Sequence, residues 1–254
     1  MEFLWNGIQQ GFDLIVDGDP YTIHLIWVTL RVAVVSTAVA LVLGLPLGLW
    51  LGLGTGRRRR RVRRQARTPG AHGSAWGLAL GNAGLALPPV IVGLVLSLLM
   101  FPAAPLGSLH LLFTLDGVIV AQTVLAFPVI VALTAAAVRS LPRGLLSQAR
   151  ALGANTPQVW LLALHEARIG VMAATIAAFG SALSEVGAVV LVGGNIEGST
   201  QTLASAALEQ VQAAHYPEAM AIGMILIGMI LILMSALTVI QLGGGRSARR
   251  RAAA

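Results

Sequence analysis

The chain has 254 residues, 56% hydrophobic and only 11% charged, with a formal net charge of +7. All 17 basic residues are arginine and there is no cysteine. Disulfides, thiolate metal sites and cysteine nucleophiles are therefore excluded, as are a lysine-dependent phosphate loop, a Schiff base and a kinase-type lysine.

Residues 1–21 carry only acidic charges, so they lack the basic region of a secretory signal. Phe3, Leu4, Trp5, Ile8, Phe12 and Ile15 fall near helical spacing, which predicts a short helix lying in the membrane interface, with a partly disordered terminus as the alternative. The first long apolar run follows, from about Thr22 to Leu53. About 20 apolar residues cross a bilayer as a helix, so this run qualifies as a span. It contains Arg31, Pro46 and the glycines Gly44, Gly48 and Gly52. Eight arginines then occupy 57–67, read most simply as a topology anchor at the anionic cytoplasmic leaflet.

A second span is predicted from about Trp76 to Phe101, with Pro88, Pro89, Gly81, Gly84 and Gly93, and a third from about Gly117 to Val138, with Pro128. Proline removes a backbone donor, and glycine lets helices approach closely. Both are tolerated in lipid where neighbours or a cavity satisfy the freed carbonyls, so these spans are expected to line a path or change their packing.

The polar stretch 139–168 comes next. Ser147, Gln148, Ala149, Arg150 and Ala151 suit a short helix, and Gly153 suits a turn. A second helix is expected to start with Thr156 as its cap and Pro157 in its first turn. A fourth span runs from about Ile169 to Val192 and contains Ser184, Glu185 and Gly187. Gly193, Gly194 and Asn195 form a turn into a mildly amphipathic segment, Thr200 to Ala213, that carries Glu209. A fifth span, about Ala219 to Leu242, leads to a tail with Arg246 and Arg249 to Arg251.

The arginines sort by side. Eight lie in 57–67, four in 139–168 and four in the tail, and Arg31 alone lies within a span. Eight of the ten acidic residues lie instead in the N-terminal segment, 102–116 and 193–218. Basic loops stay in the cytoplasm, so five spans place the N-terminus outside and the C-terminus inside. Arginines at membrane boundaries also argue against a nucleic-acid partner. The five histidines show no metal-ligand spacing, and no metal site is expected.

Within 139–168 the chain resembles the permease subunits of ABC importers. Their coupling loop reads Glu-Ala-Ala, two variable residues, Leu-Gly-Ala; here Ala149, Leu152, Gly153 and Ala154 match, while Ser147 and Gln148 replace the first two residues. The likeness extends over most of 20–242. Leu43 to Gly48, Leu87 to Val90, Ala121 to Thr123 and Phe127-Pro128 are similar to molybdate- and tungstate-type permeases, and Ser184 to Ala188 with Val192 to Ile196 is closest to the tungstate branch. The resemblance implies an all-α, polytopic fold of about five spans with type I ABC importer architecture. It divides the chain into a periplasmic segment 1–21, a transmembrane domain 22–242 and a cytoplasmic tail 243–254.

It also implies a homodimer in the cytoplasmic membrane of a bacterium or archaeon. Two ATPase subunits carrying ATP and Mg would grip the coupling loops, and a periplasmic or lipid-anchored binding protein would deliver an oxyanion: tungstate first, molybdate or sulfate next. The permease itself holds no cofactor on this reading. Gly193, Gly194, Asn195 and Glu209 are candidates for binding-protein docking; Glu185, Ser184, Gly187, Arg31, Pro88 and Pro89 are candidates for pathway or gate. A charge deep in a span faces a partner or a cavity. Glu185 has three roles open: pairing with Arg31, bonding backbone freed near the glycine, or lining the path. A bare carboxylate would repel a dianion, which favours pairing or a gate. Rivals from other classes are an intramembrane enzyme, for which Glu185 alone is too few groups, and a passive channel, which has no use for a glycine-hinged inner loop.

Overall fold

Asp19 starts the first helix. Its Oδ2 accepts the hydroxyl of Thr22 at 2.7 Å and the amide of Thr22 at 2.8 Å. These two bonds hold the Asp19 carboxyl below the usual carboxylate range and satisfy a donor that the first helical turn leaves free. Pro20 follows at the first helical position, where a missing N–H leaves no bond unmade.

The computed structural model describes residues 17–62, 84–142 and 144–252, with side chains described except at 55–62 and 244–252. The amphipathic segment 1–16, Arg63, Arg64, Arg67, His72, Arg143 and the first part of the second predicted span, 76–83, lie outside the described residues. The helices are α1 (Pro20–Val62), α2 (Pro89–Leu99), α3 (Leu115–Arg139), α4 (Leu145–Ala151), α5 (Thr156–Ser184), α6 (Gly187–Gly193), α7 (Leu203–Gln212) and α8 (Tyr216–Ala252). No strand occurs among the described residues.

Among the described residues, four helices are long and apolar enough to cross a membrane: Pro20–Gly54, Leu115–Arg139, Thr156–Ser184 and Tyr216–Gly243. The shorter apolar helix Pro89–Leu99 belongs to the second predicted span. That run is broken after Leu85, and Pro88 and Pro89 restart it, with Pro89 as the first helical residue of α2. Pro46 and Pro128 act differently: α1 and α3 run through them unbroken. The fourth predicted span is divided, since residues 185–186 interrupt the helix between α5 and α6.

Contacts group the chain into two units. Among the described residues, one comprises 17–38, 87–126 and 179–237; the other comprises 39–62, 84–86, 127–142, 144–178 and 238–252. In the first, Leu25 of α1 packs with Leu203 and Ala206 of α7 and Ile222 and Ile225 of α8. Val28 and Val32 pack with Val118 and Val189, and Met100 packs with Ala121 and Val192.

In the second unit a glycine groove does the packing. A Cβ on Gly44 would lie 3.1 Å from Ile130 Cγ2, one on Gly48 2.7 Å from Thr134 Cβ, and one on Gly52 2.6 Å from Val138 Cβ. Both sets of residues repeat every four positions, so a ridge of α3 lies along a furrow of α1 with no room for a methyl group. Lipid supplies no hydrophobic drive between helices, and close packing of this kind takes its place.

Candidate functional site

The loop between α3 and α5 is built by two local devices. Gly153 has φ +90°, the left-handed region that glycine enters without strain. Its N–H donates to Arg150 O at 3.1 Å, and the N–H of Ala154 donates to Ala149 O at 3.0 Å. This is the paired-bond helix stop in which a left-handed residue caps the last carbonyls. Ala149, Gly153 and Ala154 thus act together as the end of α4.

The second device corrects an expectation. The cap of α5 is Asn155, not Thr156: its Oδ1 accepts the N–H of Gln158 at 3.0 Å, while Gln158 Oε1 accepts the N–H of Asn155 at 2.8 Å. Asparagine bonds to free amides at a helix start better than threonine, and a glutamine three residues on completes the reciprocal box. Thr156 becomes the first helical residue and Pro157 the second. Asn155→Ala removes the acceptor of the Gln158 N–H, keeps the backbone N–H that donates to Gln158 Oε1, and is expected to destabilise this corner by about 1 kcal/mol, whereas Asn155→Asp keeps an acceptor and stays close to wild type. Hydrogen exchange across 152–160 measures the difference.

Leu141, Leu146, Trp160 and Leu164 hold the loop against Leu49, Val138, Ala163 and Ala167. Ser147, Gln148 and Gly153 are exposed, Ser147 donating to Gly144 O at 2.8 Å. Leu152 is 90% exposed, a large apolar side chain on the surface of the loop.

Glu185 sits in the break between α5 and α6, partly buried. Its Oε1 accepts the N–H of Ala188 at 3.2 Å. Of its three roles, the structure supports the bond to freed backbone. Arg31 is exposed and makes no ion pair with Glu185 among the described residues. Ser184 is exposed and donates back to Gly180 O and Ser181 O, each at 3.3 Å.

The break also meets α2. A Cβ on Gly187 would lie 2.5 Å from Val90 Cγ2, and one on Gly93 would lie 2.6 Å from Ala188 Cα. The helix that Pro88 and Pro89 restart therefore crosses the one that Glu185 caps, backbone nearly against backbone.

The turn after α6 is fastened at several points. Gly194 and Asn195 both have positive φ, +75° and +51°; asparagine is among the few side chains that accept this region readily. Asn195 Nδ2 donates to Glu209 Oε2 at 2.7 Å, and Gln201 Nε2 donates to the same oxygen. Tyr21 donates to Gln201 Oε1 at 2.9 Å. Thr200 Oγ1 donates to Gly193 O at 2.7 Å and accepts Ile196 N–H at 3.0 Å, while Thr29 Oγ1 accepts Leu203 N–H at 2.9 Å. The docking candidates Asn195 and Glu209 thus meet directly, and Gly193 and Gly194 lie in the turn that Thr200 and Asn195 fasten. Tyr21, Thr29, Thr200 and Gln201 were not singled out. The signal available for them was polar residues at the apolar start of a span and a Thr-Gln-Thr run before a helix.

A family model described as a binding-protein-dependent transport system inner membrane component matches residues 44–243. The chain is 40% identical over 155 residues to a probable anion ABC transporter permease protein of Haloferax volcanii, covering 59% of this chain and 67% of the relative. It is 30% identical over 227 residues to the tungstate uptake system permease protein TupB of Peptoclostridium acidaminophilum, covering 89% and 93%. A molybdenum transport system permease protein, ModB of Azotobacter vinelandii, is 30% identical over 158 residues, covering 58% and 70%. Among solved structures, an inward-facing form of the MetNI methionine ABC transporter matches with a TM-score of 0.63 at 21% identity, covering 87% of this chain and 94% of that one. This last likeness is one of fold.

Proposed function

The chain belongs to the family of binding-protein-dependent transport system inner membrane components, and from that premise we propose that it is the membrane subunit of an ATP-driven importer for a tetrahedral oxyanion, tungstate first. What supports the cargo is the reach of one likeness: the tungstate uptake permease of Peptoclostridium acidaminophilum is matched over 93% of its length, while a second tungstate permease, of Campylobacter jejuni, is matched over 61% and the molybdenum permease over 70%. The protein works as a homodimer with its N-terminus outside. A separate ATPase binds ATP and Mg, and a binding protein supplies the anion.

The loop geometry supports a mechanical role. An exposed apolar side chain, on a helix stopped by Gly153 and followed by a capped helix, offers a partner something firm to grip. ATP binding draws the two loops of the dimer together, α5 carries that movement toward Glu185, and the path opens to the outside. The anion is released from the binding protein docked near Asn195 and Glu209, and hydrolysis restores the inward-facing state.

Glu185 acts in this scheme as the cap that holds the gate closed. Glu185→Gln keeps an oxygen for Ala188 N–H but removes the charge; Glu185→Ala leaves that N–H unpaired, a loss of about 1–3 kcal/mol where it is buried. Expected results are altered coupling of ATP hydrolysis to uptake for Gln and a larger defect for Ala. Wild-type behaviour in both would remove Glu185 from the gate.

The test of the whole reading is reconstitution of the chain with an ABC ATPase and an oxyanion-binding protein of the same organism. ATP-dependent uptake of tungstate above molybdate and sulfate supports the proposal. A preference for molybdate or sulfate replaces the cargo, and failure to co-purify with any ATPase rejects the class.

A further inference from the structure

We propose that Arg31 of one copy pairs with Glu185 of the partner subunit, so that a dimer joins two charges that a single chain leaves apart. The inference rests on the homodimer proposed above. Arg31 is exposed, on one face of α1 with the exposed Ile23, Trp27 and Val34, which recur at helical spacing. Its guanidinium has no partner among the described residues. Glu185 gives Oε1 to the N–H of Ala188, and its Oε2 has no partner among the described residues.

The two charges share a level. Val32 packs with Val189, and Ala33 packs with Phe179, Ala182 and Leu183. Glu185 lies between Leu183 and Val189 in the chain, which sets it within about one helical turn, roughly 5 Å, of the level of Arg31. The other described carboxylates lie elsewhere. Glu166 adjoins Ala167, which packs with Leu49 towards the far end of α1. The rest belong to the starts of α1, α3 and α8 or to the turn and helix after α6.

A charge in the interior of a span faces a partner or a wet cavity, since lipid tails offer it nothing. The apolar side chains on both sides of Arg31 along its face argue for protein cover over a wet path. The two-fold axis of a membrane dimer runs along the membrane normal, and rotation about it leaves depth unchanged. A second copy therefore brings to the level of Arg31 the one carboxylate this chain has there. The flanking surfaces fit as well. Gly187 lies against Val90, and α2, whose buried residue is Gly93, leaves Val90, Ile91, Leu94 and Leu98 exposed beside Glu185. Laying the α1 face of each copy on the α2 face of the other covers both and makes the pair twice. One carboxylate oxygen then holds the cap of α6 and the other a guanidinium, a strong charge-assisted bond.

The test exploits the absence of lysine. Arg31→Lys keeps the charge and introduces the one side-chain amine in the chain. In membranes holding the full-length protein, a hydrophobic carbodiimide joins an amine to a neighbouring carboxylate as an amide and takes up the water released. The expected product is a dimer-sized species in which mass spectrometry maps the link from position 31 to Glu185 of the partner subunit. It is expected to be lost when Glu185→Gln is added. A second measurement uses the exchanged chain R31E/E185R, co-expressed with wild type under a different tag. Each form matches itself, but a mixed dimer sets like charges together at both contacts. Mixed dimers are expected to fall roughly tenfold or more below their statistical share.

A link mapped within one chain overturns the proposal, as does mixing at the statistical share. No link in an Arg31→Lys chain that is dimeric by mass overturns it too. Should the exchanged chain fail to insert, the cross-link decides alone. A wild-type chain that is monomeric by mass removes the homodimer itself and the pairing with it, an outcome the mass measurement separates from the others.

Discussion

Valine at position 153 is expected to abolish ATP-driven uptake while leaving the protein in the membrane at near wild-type amounts. The reason is conformational. Gly153 has φ +90° with no atom within 4 Å of where a Cβ would stand, so a side chain meets no clash there. What it meets is backbone strain, about 1–2 kcal/mol for an L-residue in the left-handed region and more when the residue is β-branched.

That strain falls on a helix of seven residues, Leu145–Ala151, too short to persist without its caps. A cost of this size corresponds to a roughly five- to thirty-fold shift in population away from the capped form. The loss should follow the residue's tolerance of this region: Asn mildest, Ala intermediate, Val worst. Uptake by membrane vesicles, read beside the amount of protein and of co-purified ATPase, separates the cases. Equal transport in the Asn and Val variants would show that the left-handed stop has no part in coupling.

How far the sequence discloses this site depends on the range of the interactions that build it. The stop at Gly153 is legible because its signal is local: a short helical stretch, one glycine and a small residue. The cap of α5 was displaced by one position, since Asn155 and Thr156 both accept amide protons and only the reciprocal partner Gln158 decides between them. Pro88 and Pro89 behave as breakers. Pro46 and Pro128 do not, because their surroundings hold the helix: Gly44 and Gly48 lie against Ile130 and Thr134, and Pro128 lies against Gly84.

The break at 185–186 is barely visible, because the apolar run continues through it and only Gly187 hints at a stop. It exists through a side-chain cap and the close approach of another helix. The ties from Tyr21 to Gln201 and from Thr29 to Leu203 join residues 180 and 174 positions apart, and separations of that size leave no periodic trace. Local devices can be read from the chain, whereas devices that need a distant partner appear only after folding.

The crossing of α2 and α6 gives the second large effect. Alanine at position 93 would bring its Cβ to 2.6 Å from Ala188 Cα and 3.1 Å from Ala188 Cβ. The nearest atom is backbone, which cannot swing aside as a side-chain tip can, so the helices must separate. Overpacking of this kind costs typically 1–3 kcal/mol. Gly187→Ala meets Val90 Cγ2 at 2.5 Å; a methyl group can shift more readily than a main chain, so a smaller loss is expected there.

Gly223→Ala supplies the control. Gly223 lies within α8 with nothing within 4 Å, and alanine in an open helical position is expected to be neutral or stabilising by about 0.5–1 kcal/mol. Adding Ala188→Gly to Gly93→Ala removes the 3.1 Å contact but not the 2.6 Å one, so rescue should be partial. Thermal unfolding of the purified chain orders the variants. Uptake should fall further than stability for Gly93→Ala, because the helices forced apart are the two that begin at the interruptions after Leu85 and Ser184. If Gly93→Ala unfolds and transports like Gly223→Ala, the two helices do not meet at this distance, and the crossing has no part in opening the path.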